Sequence, residues 1–356
     1  MTNDHSMTDN GRLEALQGKV LSDVAGALGV LLAHMGDETG VYAALEENGP
    51  VTPEALAAKT GLNGKYLREW LHANAANGYV EHDPATRTFS LTPEQAVIFA
   101  AEGHPACMQG FFQAVVGQME MNAEAIETFR SGRGRPWGAH SPCCFCGVDR
   151  FFKPGYAANL IEGWLPSLGG VREKLEAGAR VADVGCGYGS STILMAKAFP
   201  NSTFYGIDAH GPSIEHAQAN AREAGAENVR FETATAKTLS GGPYDLVCVF
   251  DALHDMGDPL GAAARIREAL APDGTFMVVE PLAGDEAADN MHPLGAIYYA
   301  FSTMVCTPAS LSQEVGLGLG AQAGQRRLTS LLNEAGFGSV RRTAETPVNM
   351  VLEARV

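Results

Sequence analysis

The run Arg180-Val-Ala-Asp-Val184 breaks at once into Gly185-Cys-Gly-Tyr-Gly189, and helix-forming residues resume at Ser191. Few folds accommodate a buried strand, a turn of alternating glycines and a helix in direct succession. The glycines let the backbone enter left-handed conformations, and the helix N-terminus presents unpaired N–H groups to whatever approaches the turn. Around this feature the second half of the chain keeps one rhythm. Apolar runs fall at Arg180–Val184, Thr203–Ile207, Val229–Phe231, Leu246–Phe250, Thr275–Val279, Ser339–Arg342 and Val348–Glu353, and helical segments such as Ser191–Ala198, Ile214–Glu223 and Gly261–Leu270 separate them. Buried runs alternating with helices predict an α/β architecture, a Rossmann-like, doubly wound, seven-stranded sheet. The last two runs lie about a turn apart, which predicts an antiparallel edge.

The first half reads differently. Thr52-Pro-Glu-Ala-Leu-Ala-Ala-Lys-Thr-Gly61 is a capped short helix ended by glycine, and Leu62–Asn77 is a second helix with Leu67, Trp70, Leu71 and Ala75 at core spacing. Tyr79–His82, a turn at Asp83-Pro84 and Thr88–Leu91 make a short hairpin. These elements predict a winged-helix domain. The expected organisation is a flexible tail over residues 1–12, a winged-helix and dimerisation domain over 13–104, a helical linker and cysteine-rich connector over 105–155, and the sheet domain over 156–356. Residues 105–132 read as a long amphipathic helical stretch with Phe111, Phe112, Val115, Val116, Met119 and Met121 as its apolar members, and Gly132–Gly147 as a connector that marks the domain boundary.

A winged helix can read DNA, but between Arg12 and Glu94 there are 11 acidic residues against 6 basic ones. The net charge of the whole chain is −16. Nucleic acid is therefore not an expected partner, because phosphate neutralisation supplies most of such affinity. Met1–Asn10 lacks the basic and apolar regions of a secretory signal, and Val24–His34 is short of the ~20 residues that span a bilayer. Seven cysteines, an odd number, suit a reducing compartment. The expectation is a cytoplasmic protein with no membrane partner.

The spacing of Gly185, Gly187 and Gly189 is G-x-G-x-G, and Ser190 stands where a dinucleotide fingerprint wants its third glycine or alanine, which disfavours NAD. Asp183 precedes the turn by two residues, where a carboxylate suits a cationic ammonium better than a pyrophosphate. Thr203-Phe-Tyr-Gly-Ile-Asp208 ends in an acid placed to accept hydrogen bonds from ribose hydroxyls. Together these predict a cationic sulfonium nucleoside, S-adenosylmethionine, as cofactor. The bland alternative makes Asp183 and Asp208 helix caps and the glycines turn residues.

At this point the sequence resembles class I S-adenosylmethionine-dependent methyltransferases over about residues 156–356. The resemblance implies cofactor contacts at Asp183, Gly185, Cys186, Gly187, Gly189 and Asp208, with the adenine near Ala234, Thr235, Phe250 and Asp251. Leu253-His-Asp-Met-Gly-Asp258 resembles the Leu-His-Asp-Trp-x-Asp segment of winged-helix small-molecule O-methyltransferases, with Met256 in place of tryptophan. That likeness implies His254 as general base, oriented by Glu280 after the fifth strand, with Asp255 beside it. The competing reading of His254 is a structural histidine bonded to Asp255 or capping the next helix. A bacterial group of winged-helix methyltransferases resembles nearly the whole chain, including the insertion at about 282–325. This segment reads as a lid whose His292, Tyr298, Tyr299, Phe301, Met304 and Thr307 line an apolar acceptor pocket or an interface.

The expected activity is methyl transfer to an oxygen of a small-molecule acceptor by a homodimer. One feature stands outside that reading: His140-Ser-Pro-Cys143-Cys144-Phe-Cys146. Cys143, Cys144 and Cys146 are candidate ligands for zinc or a metalloid, which would then itself be methylated, or they are packing residues; no second CxxC pair closes a structural zinc site. A regulator that uses the winged helix on DNA and the cofactor as signal is the other rival.

Overall fold

The computed structural model describes residues 9–356; most of the expected tail, residues 1–8, lies outside them. The chain divides into two compact units. One holds the residues up to Met119 together with Pro142–Phe151, and the other holds Glu120–Ser141 with Phe152–Val356.

The first unit opens with the helix Asn10–Glu38, whose N-cap Asp9 accepts from Arg12 N at 3.2 Å, so residues 10–12 are helix and not tail. Helix Pro53–Thr60 is capped by Thr52 on Ala55 N and ends at Gly61 with φ 71°. Helix Gly64–Ala76 is capped by Asn63 and buries Leu67, Trp70 and Leu71 as the spacing predicts. Strands β1 (Glu81–Asp83) and β2 (Thr88–Ser90) pair antiparallel to form the wing. Leu45, Leu56, Leu71 and Phe89 fill the core, each burial worth about 1.5–3 kcal/mol. On the second helix Arg68 is tied to Glu54 at 3.2 Å.

The long N-terminal helix has two apolar faces. Gly29, Ala33 and Gly36 are buried on one, and a Cβ at Gly36 would lie 2.3 Å from the Trp70 ring. On the other face Leu13, Val20, Val24, Leu28, Leu31 and Met35 are exposed at helical spacing. The apolar stretch is thus longer than Val24–His34: at 29 residues the helix is long and apolar enough to cross a bilayer by length and composition.

Residues 105–132 form two helices, Gln109–Glu120 and Asn122–Ser131, which part at Met121. The presumed connector contains the start of the helix Pro142–Asn159. Gly132 ends the helix Asn122–Ser131 with φ 70°, whereas Gly147 sits inside Pro142–Asn159 and, like Gly117 on Gln109–Glu120, allows close helix contact. A Cβ at Gly147 would sit 2.3 Å from Ala114 N, and one at Gly117 would sit 2.6 Å from Cys144 N.

The second unit carries the seven-stranded sheet. Its strands are β3 (Arg180–Val184), β4 (Thr203–Asp208), β5 (Val229–Thr233), β6 (Tyr244–Phe250), β7 (Leu270–Pro281), β8 (Ser339–Glu345) and β9 (Asn349–Arg355), in the order β5-β4-β3-β6-β7-β9-β8. The first five are mutually parallel, whereas β9 runs antiparallel between β7 and β8, as the short connection predicts. One apolar layer gathers Val247, Val249, Ile266, Phe276, Val278 and Leu332; another gathers Leu165, Val181, Phe204, Met277, Val279 and Val351. Alternate residues of one strand therefore serve opposite faces, the period-two geometry that makes a central strand read as a continuous apolar run. Strand order reverses between β3 and β6, beside the glycine turn, the place where open sheets of this kind bind their ligands.

Candidate cofactor and catalytic site

Gly185, Gly187 and Gly189 all have positive φ, at 78°, 53° and 80°. Two are required twice over: a Cβ at Gly185 would meet Ala252 Cβ at 2.8 Å, and one at Gly189 would meet the Phe231 ring at 2.7 Å. A Cβ at Gly187 meets nothing within 4 Å, so that position faces open space. The turn is bonded to β4: Gly185 N and Cys186 N donate to Ile207 O at 2.7 and 3.1 Å. Asp208 completes the tie, its Oδ2 accepting from Gly187 N at 2.9 Å and its Oδ1 from His210 N at 2.8 Å. Each oxygen keeps a lone pair for a further donor. Burial raises the Asp208 pKa, and the two backbone N–H groups oppose it.

Asp183 is fully buried at the end of β3. Ser191 Oγ and Thr192 Oγ1 both donate to its Oδ2 at 2.6 Å, while Oδ1 is buried with no donor. Burial pushes its pKa up to about 6. The sequence reading aimed this carboxylate at a ligand; half of it instead holds the first turn of the helix Ser190–Ala198. A cation would supply what Oδ1 lacks, so the donor set fits an ammonium-bearing cofactor.

The expected adenine contacts divide. Ala234 N donates to Asp208 O at 3.0 Å, and exposed Thr235 caps the turn Ala236–Thr238, so both sit at the same strand ends as the turn. Phe250 is buried in the apolar layer with Tyr156 and Trp164, ring centroids 5.3 and 6.4 Å away, and so belongs to the core. Asp251 has φ 47°, a left-handed conformation that costs a non-glycine residue on the order of 1–2 kcal/mol. Asn349 Nδ2 holds both its oxygens at 2.8 and 2.9 Å. Burial first, then Glu280, pushes its pKa up to about 8.

His254 stands in the turn Leu253–Asp255 that follows β6, and Glu280 stands near the end of β7. The predicted pair is formed: His254 Nδ1 lies 2.5 Å from Glu280 Oε2, and both residues are buried. Glu280 Oε1 also accepts from Leu253 N at 3.0 Å and His254 N at 3.3 Å, so one carboxylate fixes ring and backbone together. Burial, the largest influence, lowers the His254 pKa; Glu280 and then Asp255 outweigh it, and the net direction is well above 6.5. His254 Nε2 faces Asp255 Oδ1 at 3.5 Å. Met256 is half-buried and packs on the first apolar layer.

The insertion folds as the helices Pro293–Phe301 and Thr307–Leu311 joined by a wider turn, Ser302–Cys306. His292 caps the first of them through Gly295 N, and the Tyr298 hydroxyl donates to Val348 O at 2.7 Å. Tyr298, Phe301 and Met304 pack with Trp137 around Val305 and Cys306. Cys306 reaches the His254–Asp255 turn, where a ligating atom of each of the three lies within 4.8 Å of the others. Neither Cys306 nor Asn349 was expected at the site. Both lie far along the chain, and nothing near them in sequence marks them.

Cys143, Cys144 and Cys146 lie in the first turns of their helix in the first unit. Gln118 Nε2 donates to Cys144 Sγ at 3.0 Å. Among the described residues, the sets of three ligating groups that converge are His254–Asp255–Cys306 and His34–Asp37–Glu38, and the cysteine trio is not one of them.

Comparison with known proteins agrees with this geometry. Residues 175–336 match the family described as a methyltransferase domain, and residues 26–101 match the Rv2258c-like winged HTH domain. Residues 175–336 are thus similar to a methyltransferase domain, and residues 26–101, which precede them in the chain, to a winged HTH domain. Among curated relatives, trans-aconitate 2-methyltransferase of Deinococcus radiodurans is 34% identical over 113 residues, 32% of this chain and 42% of that protein. Ubiquinone biosynthesis O-methyltransferase of Bordetella parapertussis is 30% identical over 161 residues, 44% of this chain and 60% of that one. The chain thus spans about half the length of these relatives. Over its whole length it resembles human N-acetylserotonin methyltransferase in complex with S-adenosylmethionine, with TM-score 0.66, 18% identity and 99% of both chains covered. It also resembles an O-methyltransferase family protein from Burkholderia thailandensis, with TM-score 0.67, 17% identity and 98% of both chains covered. At such identities the likeness is one of fold.

Proposed function

We propose that the protein methylates a hydroxyl oxygen of a small-molecule acceptor, with S-adenosylmethionine as donor and His254 as general base. The buried His254–Glu280 pair carries this reading. The names of the ubiquinone biosynthesis O-methyltransferase and of the Burkholderia thailandensis O-methyltransferase family protein support oxygen as the atom methylated. The cofactor, when bound, supplies a methyl group on a positively charged sulfur that departs as a neutral thioether. Gly185, Gly187 and Gly189 form its cradle, Asp208 accepts from its ribose, and Asp183 Oδ1 answers its positive end. What remains for the protein is to hold the acceptor and take its proton. Glu280 keeps the proton on Nδ1, so the Nε2 lone pair is the basic one. Calorimetry with S-adenosylmethionine followed by a screen of phenols, alcohols and hydroxy acids tests the reading; absence of cofactor binding would sink it.

Asp183 makes a separate prediction. An acid whose pKa is raised on folding costs the fold stability when charged, so the unliganded protein loses stability as pH rises from about 3.8 to about 6. The cost is on the order of 3 kcal/mol. Asp183→Asn is expected to raise the unliganded Tm at pH 8, to flatten its change between pH 4.5 and pH 8, and to weaken cofactor binding about 10–100-fold. Thermal melts and calorimetry read the two effects independently. A variant that binds the cofactor as tightly as wild type would remove Asp183 from the site.

The exposed stripe on Asn10–Glu38 supports a homodimer, since so long an apolar face is costly in water. Val24→Glu combined with Leu28→Glu is expected to convert the dimer to a monomer by sedimentation. Wild-type protein that floats with lipid vesicles instead would assign the stripe to a bilayer and contradict the cytoplasmic location that the acidic charge and odd cysteine count support.

A further inference from the structure

Three metal-ligating groups meet beside the proposed base. Asp255 and His254 come from the turn after β6, whereas Cys306 comes from the insertion, so the tertiary fold alone assembles them. His254 Nδ1 is taken by Glu280, which leaves Nε2 toward Asp255 Oδ1 at 3.5 Å. That separation is long for an N–H···O bond, whose usual span is about 2.7–3.2 Å. It matches the edge of a zinc tetrahedron, where bonds of about 2.0–2.1 Å set nitrogen and oxygen about 3.3 Å apart. Asp255 Oδ1 is also buried without a donor, a state that a cation would relieve. A carboxylate on the far nitrogen of a ligating histidine is the arrangement that fixes the ring for a metal, and Glu280 is that carboxylate. The other convergent set, His34–Asp37–Glu38, has Asp37 committed to Arg150, with Oδ1 at 3.0 Å, and carries nothing further.

We propose that His254, Asp255 and Cys306 bind one thiophilic divalent cation of the zinc class, and that its binding switches off proton removal by His254. Imidazole, carboxylate and thiolate together select zinc over magnesium or calcium. On binding, the Cys306 thiol and the Nε2–H of the protonated His254 ring each give a proton to the buffer, and the sulfur and the nitrogen go to the metal. The Nε2 lone pair cannot hold a cation and accept a proton at once. The switch rests on the reading of His254 as base, whereas the binding does not.

Cobalt(II), added to metal-free full-length protein without cofactor or acceptor, reports the site through thiolate-to-cobalt charge-transfer absorption. One equivalent is expected to bind with that absorption. Cys306→Ser should abolish it and weaken zinc binding in competition dialysis more than about 100-fold, and Glu280→Gln should weaken it about 10–100-fold. The protein with Cys143→Ser, Cys144→Ser and Cys146→Ser should keep the band. No band in wild type, or a band that survives Cys306→Ser and vanishes in the triple variant, overturns the site. Zinc at one equivalent should suppress methyl transfer; bound zinc with unchanged turnover overturns the switch while leaving the site standing. His254→Ala assayed without metal tests the base separately.

Discussion

His254→Ala is expected to lower kcat by about 10²–10⁴-fold, the usual worth of a positioned general base. Cofactor affinity by calorimetry should stay within about threefold, because the interaction removed is made in the transition state and not with the bound cofactor. The companion Glu280→Gln has a directional signature. Glu280 stabilises the protonated ring and holds the His254 pKa well above 6.5, so the base works only as pH rises through that raised value. Removing the charge favours the neutral ring and moves the acid limb of the kcat/KM profile to lower pH. It also frees Leu253 N and His254 N from Glu280 Oε1, and the maximal rate should fall. Full turnover in His254→Ala would leave methyl transfer to proximity alone, and an acid limb that does not move in Glu280→Gln would separate the pair functionally.

Asp208→Ala should give the largest loss of cofactor affinity, about 10²–10³-fold in Kd, from charge-assisted bonds worth about 1.5–3 kcal/mol each. Two losses combine there. The proposed ribose contact would lose its acceptor, and Gly187 N and His210 N lose theirs, which loosens the turn itself. Asp208→Asn separates them, because its amide oxygen can still accept one backbone bond but carries no charge. Calorimetry on both variants, with thermal melts to establish that the sheet persists, makes the measurement. A Kd within threefold of wild type in Asp208→Ala would show that the acid only ties β4 to the turn.

Much of this molecule could be read from residue order. The inner strands β3, β4, β6, β7 and β9 are legible because a strand buried on both faces must be apolar throughout, whereas β5 and β8 are largely exposed edges. The antiparallel edge followed from a connection too short for a crossover. Thr52 and Gly61 marked their helix because capping is a local interaction. Glycine was the ambiguous letter. At Gly185, Gly187 and Gly189 it means positive φ, whereas at Gly117 and Gly147 it means contact between two helices, and only the second meaning depends on a neighbour remote in sequence.

Residue order by itself determined the strand–turn–helix with its glycines, the acid at the end of β4, and the histidine after β6, since each is set by backbone geometry within a few residues. Tertiary structure decided the rest. It withdrew Phe250 into the core, drew Asn349 onto Asp251, and brought Cys306 to His254. Those placements depend on strand order and on how the insertion packs. Such contacts are paid for by burial across the whole domain and leave no periodic trace in the chain.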